Sequence, residues 1–106
     1  MADTLKRLET IIAERRTGDP AQSYVASLTA KGRAQIAQKV GEEAVETVIA
    51  AMAGDRDGLT KEAADLLFHL GVLLADAGLS FDDVLAELDT REGVSGLTEK
   101  AARKDG

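Results

Sequence analysis

Two long stretches of this chain repeat apolar residues at helical spacing, and only five residues separate them. From Arg33 to Ala53, the residues Ile36, Val40, Ala44, Thr47, Val48 and Ala51 fall close to one face at about 100° per residue. From Leu59 to Ala77, the residues Leu59, Ala63, Leu66, Leu67, Leu70, Leu73 and Leu74 form a second stripe. Gly54-Asp55-Arg56-Asp57-Gly58 between them reads as a polar turn. A link this short makes the two helices lie antiparallel. The predicted fold class is therefore all-α, a small helical bundle around a long antiparallel helix hairpin. The leucine-rich stripe is large for a lone helix pair, so a second subunit is expected to complete the core as a homodimer.

Shorter helices flank the hairpin. Leu5, Leu8, Ile11 and Ile12 give helical spacing from about Asp3 to Arg16. Thr17-Gly18-Asp19-Pro20 breaks it. Asp19 can cap and Pro20 suits a first helical turn, so a short helix carrying Tyr24, Val25 and Leu28 is expected to start there. Gly78 ends the second long helix, and Ser80 with Asp83 marks the start of another that runs to about Arg91. Gly93 and Gly96 break the pattern again. With 106 residues in all, a single domain over 1–106 is expected, residues 93–106 being a polar tail.

Charge and residue usage narrow the partners. The formal charge is −6, from 13 basic and 19 acidic side chains, and aromatics make up 3 %. With no basic stripe and few rings for stacking, nucleic acid is not an expected partner. There is no cysteine, which excludes disulfides and thiolate metal sites. Residues 1–16 lack the apolar core of a signal peptide, and no apolar run approaches the roughly 20 residues that span a bilayer. No membrane is expected, and a cytoplasmic location is.

The acidic residues are patterned. Glu43 and Glu46 stand at i, i+3 and Glu42 and Glu46 at i, i+4, on a strip expected to lie beside the apolar stripe. Glu62 and Asp65 repeat the i, i+3 spacing on the next helix, with His69 one turn further. In an antiparallel hairpin the two acidic strips converge. Two like charges about 4 Å apart cost about 1 kcal/mol in water and about 4 kcal/mol near a protein surface, and a bound cation reverses that sign. An all-oxygen donor set points to Mg²⁺, with Mn²⁺ as the alternative, rather than Zn²⁺. An acidic protein that handles an anionic nucleotide also needs such a bridge. The plainer reading is a solvated helix face, and spacing alone leaves both open.

The pattern Glu42-Glu43-x-x-Glu46, then Glu62-x-x-Asp65, resembles the signature of the MazG-like all-α nucleotide pyrophosphohydrolases. Within that superfamily, residues 36–46 resemble the phosphoribosyl-ATP pyrophosphatase family of histidine biosynthesis. So do Ser23-Tyr24 with Leu28, Lys31-Gly32, the run 64–70, and Ser95-Gly96-Leu97 with Glu99-Lys100. Phe68 stands where Tyr is expected, and Arg33 where Pro is common.

The resemblance implies hydrolysis of phosphoribosyl-ATP to phosphoribosyl-AMP and pyrophosphate, with Mg²⁺-assisted attack of water between the α and β phosphates. It implies a helical homo-oligomer and carries the metal-ligand role to Glu43, Glu46, Glu62 and Asp65. Glu42 or Glu46 is the candidate to accept the water's proton. Lys39, Lys31, Arg33, Ser23, Tyr24 and Lys100 are the substrate-binding candidates. Plainer roles stand beside these: an ion pair with Glu42 or Glu43 for Lys39, solvated charges for Lys31, Arg33 and Lys100, capping and packing for Ser23 and Tyr24. His69 is expected to hydrogen-bond behind Asp65 rather than to react. Two other functions compete, a house-cleaning pyrophosphatase for dUTP or aberrant NTPs, and a non-catalytic helical dimerisation module.

Overall fold

The computed structural model describes residues 2–92. Its elements are α1 (Ala2–Arg15), α2 (Tyr24–Lys31), α3 (Arg33–Met52), α4 (Arg56–Asp76) and α5 (Phe81–Thr90), with no strand among the described residues. The all-α expectation holds. α3 and α4 pack along each other, and α1 and α2 lie across one end of the pair. α5 leaves the direction of α4 by about 100°. No single described helix is long and apolar enough to cross a membrane.

Local chemistry sets the helix ends. At the hairpin tip, Gly54 adopts φ +72, letting its N–H donate to Ala51 O (3.2 Å) and the Asp55 N–H to Ala50 O (3.1 Å). This left-handed closure satisfies carbonyls that the end of α3 leaves open. Gly78 closes α4 in the same way. The expected turn over 54–58 is shorter in the structure. The Asp55 carboxylate accepts from the Gly58 N–H at 2.9 Å and caps α4 three residues before Leu59. The short second helix starts later than expected. Asp19 closes a turn instead, its side chain accepting from Ala21 N and its carbonyl from Gln22 N and Ser23 N. Ser23, in extended conformation, then caps α2 through Ala26 N. The capping box of α5 forms as read, with Ser80 and Asp83 each bonding the other's backbone N–H.

The core is local to the open end of the hairpin. Ile12, Val25, Leu28, Ile36 and Val72 are buried together, with Leu8, Phe68, Leu73 and Ala75 packed on them. The tip half of the hairpin is barer. Val45, Val48, Ile49 and Met52 of α3 are exposed, Met52 at 82 %, as is Leu67 of α4. The radius of gyration, 15.9 Å, exceeds the roughly 13 Å of a compact 100-residue domain.

The predicted stripe of α3 needs correction. Val48 is 60 % exposed, whereas Glu43 is 92 % shielded, at 8 % exposure. Glu43 lies seven residues beyond Ile36, nearly two full turns, and so falls on the buried line with Ile36, Val40 and Thr47. On α4 the buried residues are His69, Gly71 and Val72, and Leu66, Leu70, Leu73 and Leu74 sit half-buried beside them, while Leu67 is exposed.

Candidate metal centre and active site

The rotation of α3 brings a carboxylate into the seam between the two long helices. One carboxylate oxygen each from Glu43, Glu62 and Asp65 lie within 4.8 Å of one another. Glu46 stands one turn beyond Glu43 and its charge bears on both Glu43 and Glu62. Ionised carboxylates only accept hydrogen bonds. The buried Oε2 atoms of Glu43 and Glu62 have no hydrogen-bond partner. Such orphaned oxygens cost about 1–3 kcal/mol each or more when charged.

The protonation equilibria record the same conflict. Burial pushes the Glu43 carboxyl above its ordinary range, and hydrogen bonding with Glu46 and the charges of Glu46 and Asp65 add to it. Glu62 is pushed up to about 7, first by a proton shared with Glu46, then by burial, then by repulsion from Glu46 and Glu43. A cation held by these oxygens would offset their mutual repulsion and give the orphaned atoms a partner. The donor set is all oxygen and close-spaced, which fits a hard divalent ion.

The other sequence candidates divide. Glu42 is not among the converging acids. It is exposed, accepts from Gln38 at 3.1 Å and pairs with Lys39 at 3.4 Å, and these two contacts hold its carboxyl below the usual range. Lys39 is half-buried and its ammonium is raised above its ordinary pKa, chiefly by the bond to Glu42 and next by Tyr24. Arg33 is committed elsewhere. Its Nε donates to the Asp76 carboxylate at 2.8 Å and its guanidinium also to Asp76 O at 2.9 Å, with Arg16 3.6 Å from the same carboxylate. Ser23 is occupied as the cap of α2, and Lys31 stands exposed in the last turn of that helix. His69 is buried, one nitrogen 2.8 Å from Asp65 O and the other 2.8 Å from the Tyr24 hydroxyl. Lys100 lies outside the described residues. Gln38 and Asp76 escaped sequence reasoning. Gln38 announces itself at i, i+4 from Glu42, but nothing local links Asp76 to Arg33, 43 residues away.

Beside the acids, a groove of about 360 Å³ runs toward the hairpin tip, lined by Glu46, Ile49, Ala50, Ala53, Asp55, Gly58 and Glu62. A cavity of about 260 Å³ between α1, α4 and α5 is mostly apolar and has none of the clustered acids in its wall.

Residues 5–92 match the family model described as phosphoribosyl-ATP pyrophosphohydrolase. The chain belongs to the phosphoribosyl-ATP pyrophosphohydrolase family. It is 72 % identical over 106 residues to the phosphoribosyl-ATP pyrophosphatase of Rhizorhabdus wittichii, covering 100 % of both chains. It is 64 % identical over 103 residues to the enzyme of that name from Novosphingobium aromaticivorans, covering 97 % of this chain and 96 % of the relative. To the one from Zymomonas mobilis it is 64 % identical over 101 residues, 95 % of this chain and 94 % of the relative. Membership of the phosphoribosyl-ATP pyrophosphohydrolase family makes the chain a pyrophosphohydrolase.

Proposed function

We propose that this chain hydrolyses phosphoribosyl-ATP to phosphoribosyl-AMP and pyrophosphate, the step of histidine biosynthesis carried by relatives of that name. The observation that carries the reading is the convergence of Glu43, Glu62 and Asp65, with two buried oxygens lacking any donor. Glu43, Glu62 and Asp65 are assigned as holders of Mg²⁺, or Mn²⁺ in its place, with Glu46 beside them. When bound, such an ion neutralises phosphate charge and favours deprotonation of water. Glu46 is assigned to accept the proton of the water that attacks between the α and β phosphates. Glu42 is the weaker base, since Gln38 and Lys39 both stabilise its ionised form. Lys39 supplies a cation at the edge of the acidic cluster for the phosphate chain.

The working unit is assigned as a homodimer, a second copy covering the exposed apolar residues of α3 and α4. The unpartnered Val45, Val48, Ile49, Met52 and Leu67 support it. Light scattering that finds only monomer at micromolar concentration overturns it. The functional reading itself is tested by Glu46→Gln and Asp65→Asn. Both are expected to abolish pyrophosphate release while far-UV circular dichroism stays helical. Near-normal turnover in either contradicts the assignment.

A further inference from the structure

The first acid of the Glu42-Glu43-x-x-Glu46 run stands apart from the converging carboxylates, yet both of its oxygens are engaged. Its Oε2 accepts from the Gln38 side-chain amide at 3.1 Å, and its Oε1 lies 3.4 Å from the Lys39 ammonium. Gln38 and Lys39 lie one turn before it on α3, at the i, i+4 and i, i+3 spacings of helix neighbours. The lysine is held along the protein rather than extended into water. Its side chain is 29 % exposed, against 68 % for Lys6, which also pairs with a carboxylate. Proton affinities agree with these contacts. Gln38 first and Lys39 next hold the Glu42 carboxyl low, and Glu42 is the largest cause of the raised Lys39 ammonium.

Helix stability accounts for little of this arrangement. A lysine placed before a glutamate supports a helix less than the reverse order, and Glu42 sits in the middle of α3, far from either end of the helix dipole. The consequence is a placed cation. Lys39 precedes Glu43 by four residues, so it stands on the same side of α3 as that buried acid, one turn nearer the open end of the hairpin. A long side chain gives up rotamer freedom when it binds an anion, and fixing it beforehand removes part of that cost. Glu42 does this for Lys39, and Gln38 does it for Glu42. An ammonium has three hydrogens, so a bond to one carboxylate oxygen leaves others for a phosphate.

We propose that Glu42, itself held by Gln38, positions Lys39 to bind a phosphate of the nucleotide, an inference that rests on the phosphoribosyl-ATP reading. Glu42 and Gln38 are positioning residues, acting through Lys39.

Steady-state kinetics on the full chain with phosphoribosyl-ATP tests this role, because its alternatives move different quantities. A bare surface acid repels a polyphosphate, so removing it lowers KM or leaves it unchanged. Removing the base that activates water lowers kcat by about a hundredfold or more. Removing a metal ligand raises the half-saturating Mg²⁺ concentration. For a positioning residue, Glu42→Met is expected to raise KM about fivefold, the upper range for a partly exposed ion pair, with kcat within about twofold and the Mg²⁺ requirement unmoved. Met suits a helix and Glu42 is exposed, so the fold is retained. Glu42→Gln keeps an oxygen that accepts from Lys39 and should recover part of the loss. Lys39→Met should raise KM about tenfold or more, and adding Glu42→Met to it should raise KM no further. An unchanged or lowered KM in Glu42→Met, a collapse of kcat, or a shifted Mg²⁺ requirement each overturns the role, while an active wild type leaves the broader reading standing. KM increases that multiply in the double variant also overturn it. A wild type that releases no pyrophosphate from phosphoribosyl-ATP overturns the broader reading and this role with it.

Discussion

Replacing Glu43 by Gln should make the metal-free protein more stable, not less. Glu43 is buried at 8 % exposure on the α3–α4 seam, its Oε2 has no donor, and it faces Glu62 and Asp65. Gln keeps the size and removes the charge. Its amide also supplies the donor that the cluster lacks. An orphaned buried oxygen costs about 1–3 kcal/mol, and a hydrogen bond to a charged group contributes about 1.5–3 kcal/mol. A net gain of about 2 kcal/mol is expected, which for a domain of this size raises Tm by roughly 8–16 °C. The assay is thermal melting by circular dichroism in EDTA, followed by MgCl₂ titration. Wild type should gain stability saturably, by about 2.7 kcal/mol at 100 times Kd, whereas Glu43→Gln should lose that response. A variant that melts lower than wild type in EDTA and still responds to Mg²⁺ refutes the reasoning.

Acidity should tune the same response. Glu43 and Glu62 keep their protons to higher pH folded than unfolded, Glu62 to about 7 against an ordinary 4.5. The folded state then binds more protons in that interval, so this contribution to metal-free stability is full below the unfolded value and is lost as pH rises through about 7. A bound ion displaces those protons, so the Tm gain from Mg²⁺ should be small near about pH 5 and large near about pH 8. A pH-independent gain contradicts this. Arg33→Ala should lower Tm by a few degrees, through loss of the Asp76 contacts, and leave KM for the nucleotide unchanged. A KM increase restores Arg33 to the substrate site. Ile36→Ala, at a fully buried core position, should cost about 2–5 kcal/mol, read as a lower urea midpoint.

Periodicity was enough to read the hairpin, since Ile36 to Ala51 and Leu59 to Leu74 have no other use for such spacing. The Ser80–Asp83 box was equally local and formed as read. Errors arose where one residue has two local options. Asp19 offered a cap and closed a turn, and Asp55 sat in a turn and capped a helix. Counting seven residues from Ile36 puts Glu43 on the buried line, yet it was expected beside the apolar stripe, because a carboxylate on a core line runs against ordinary residue preference. That exception marks the site. The Tyr24–His69 and Arg33–Asp76 contacts span 45 and 43 residues, and depend on how α2 and α4 cross α3 rather than on any local pattern.

The central claim is that a pyrophosphohydrolase site on this helix hairpin acts on phosphoribosyl-ATP. Its most direct test is quantitation of nucleotide products and pyrophosphate with phosphoribosyl-ATP, ATP, dUTP and other NTPs as separate substrates. The account predicts phosphoribosyl-AMP and pyrophosphate in equal amounts from phosphoribosyl-ATP, dependent on Mg²⁺ or Mn²⁺ and stopped by EDTA, with little release from the others. Preferential cleavage of dUTP or common NTPs, or full activity in EDTA, would contradict it.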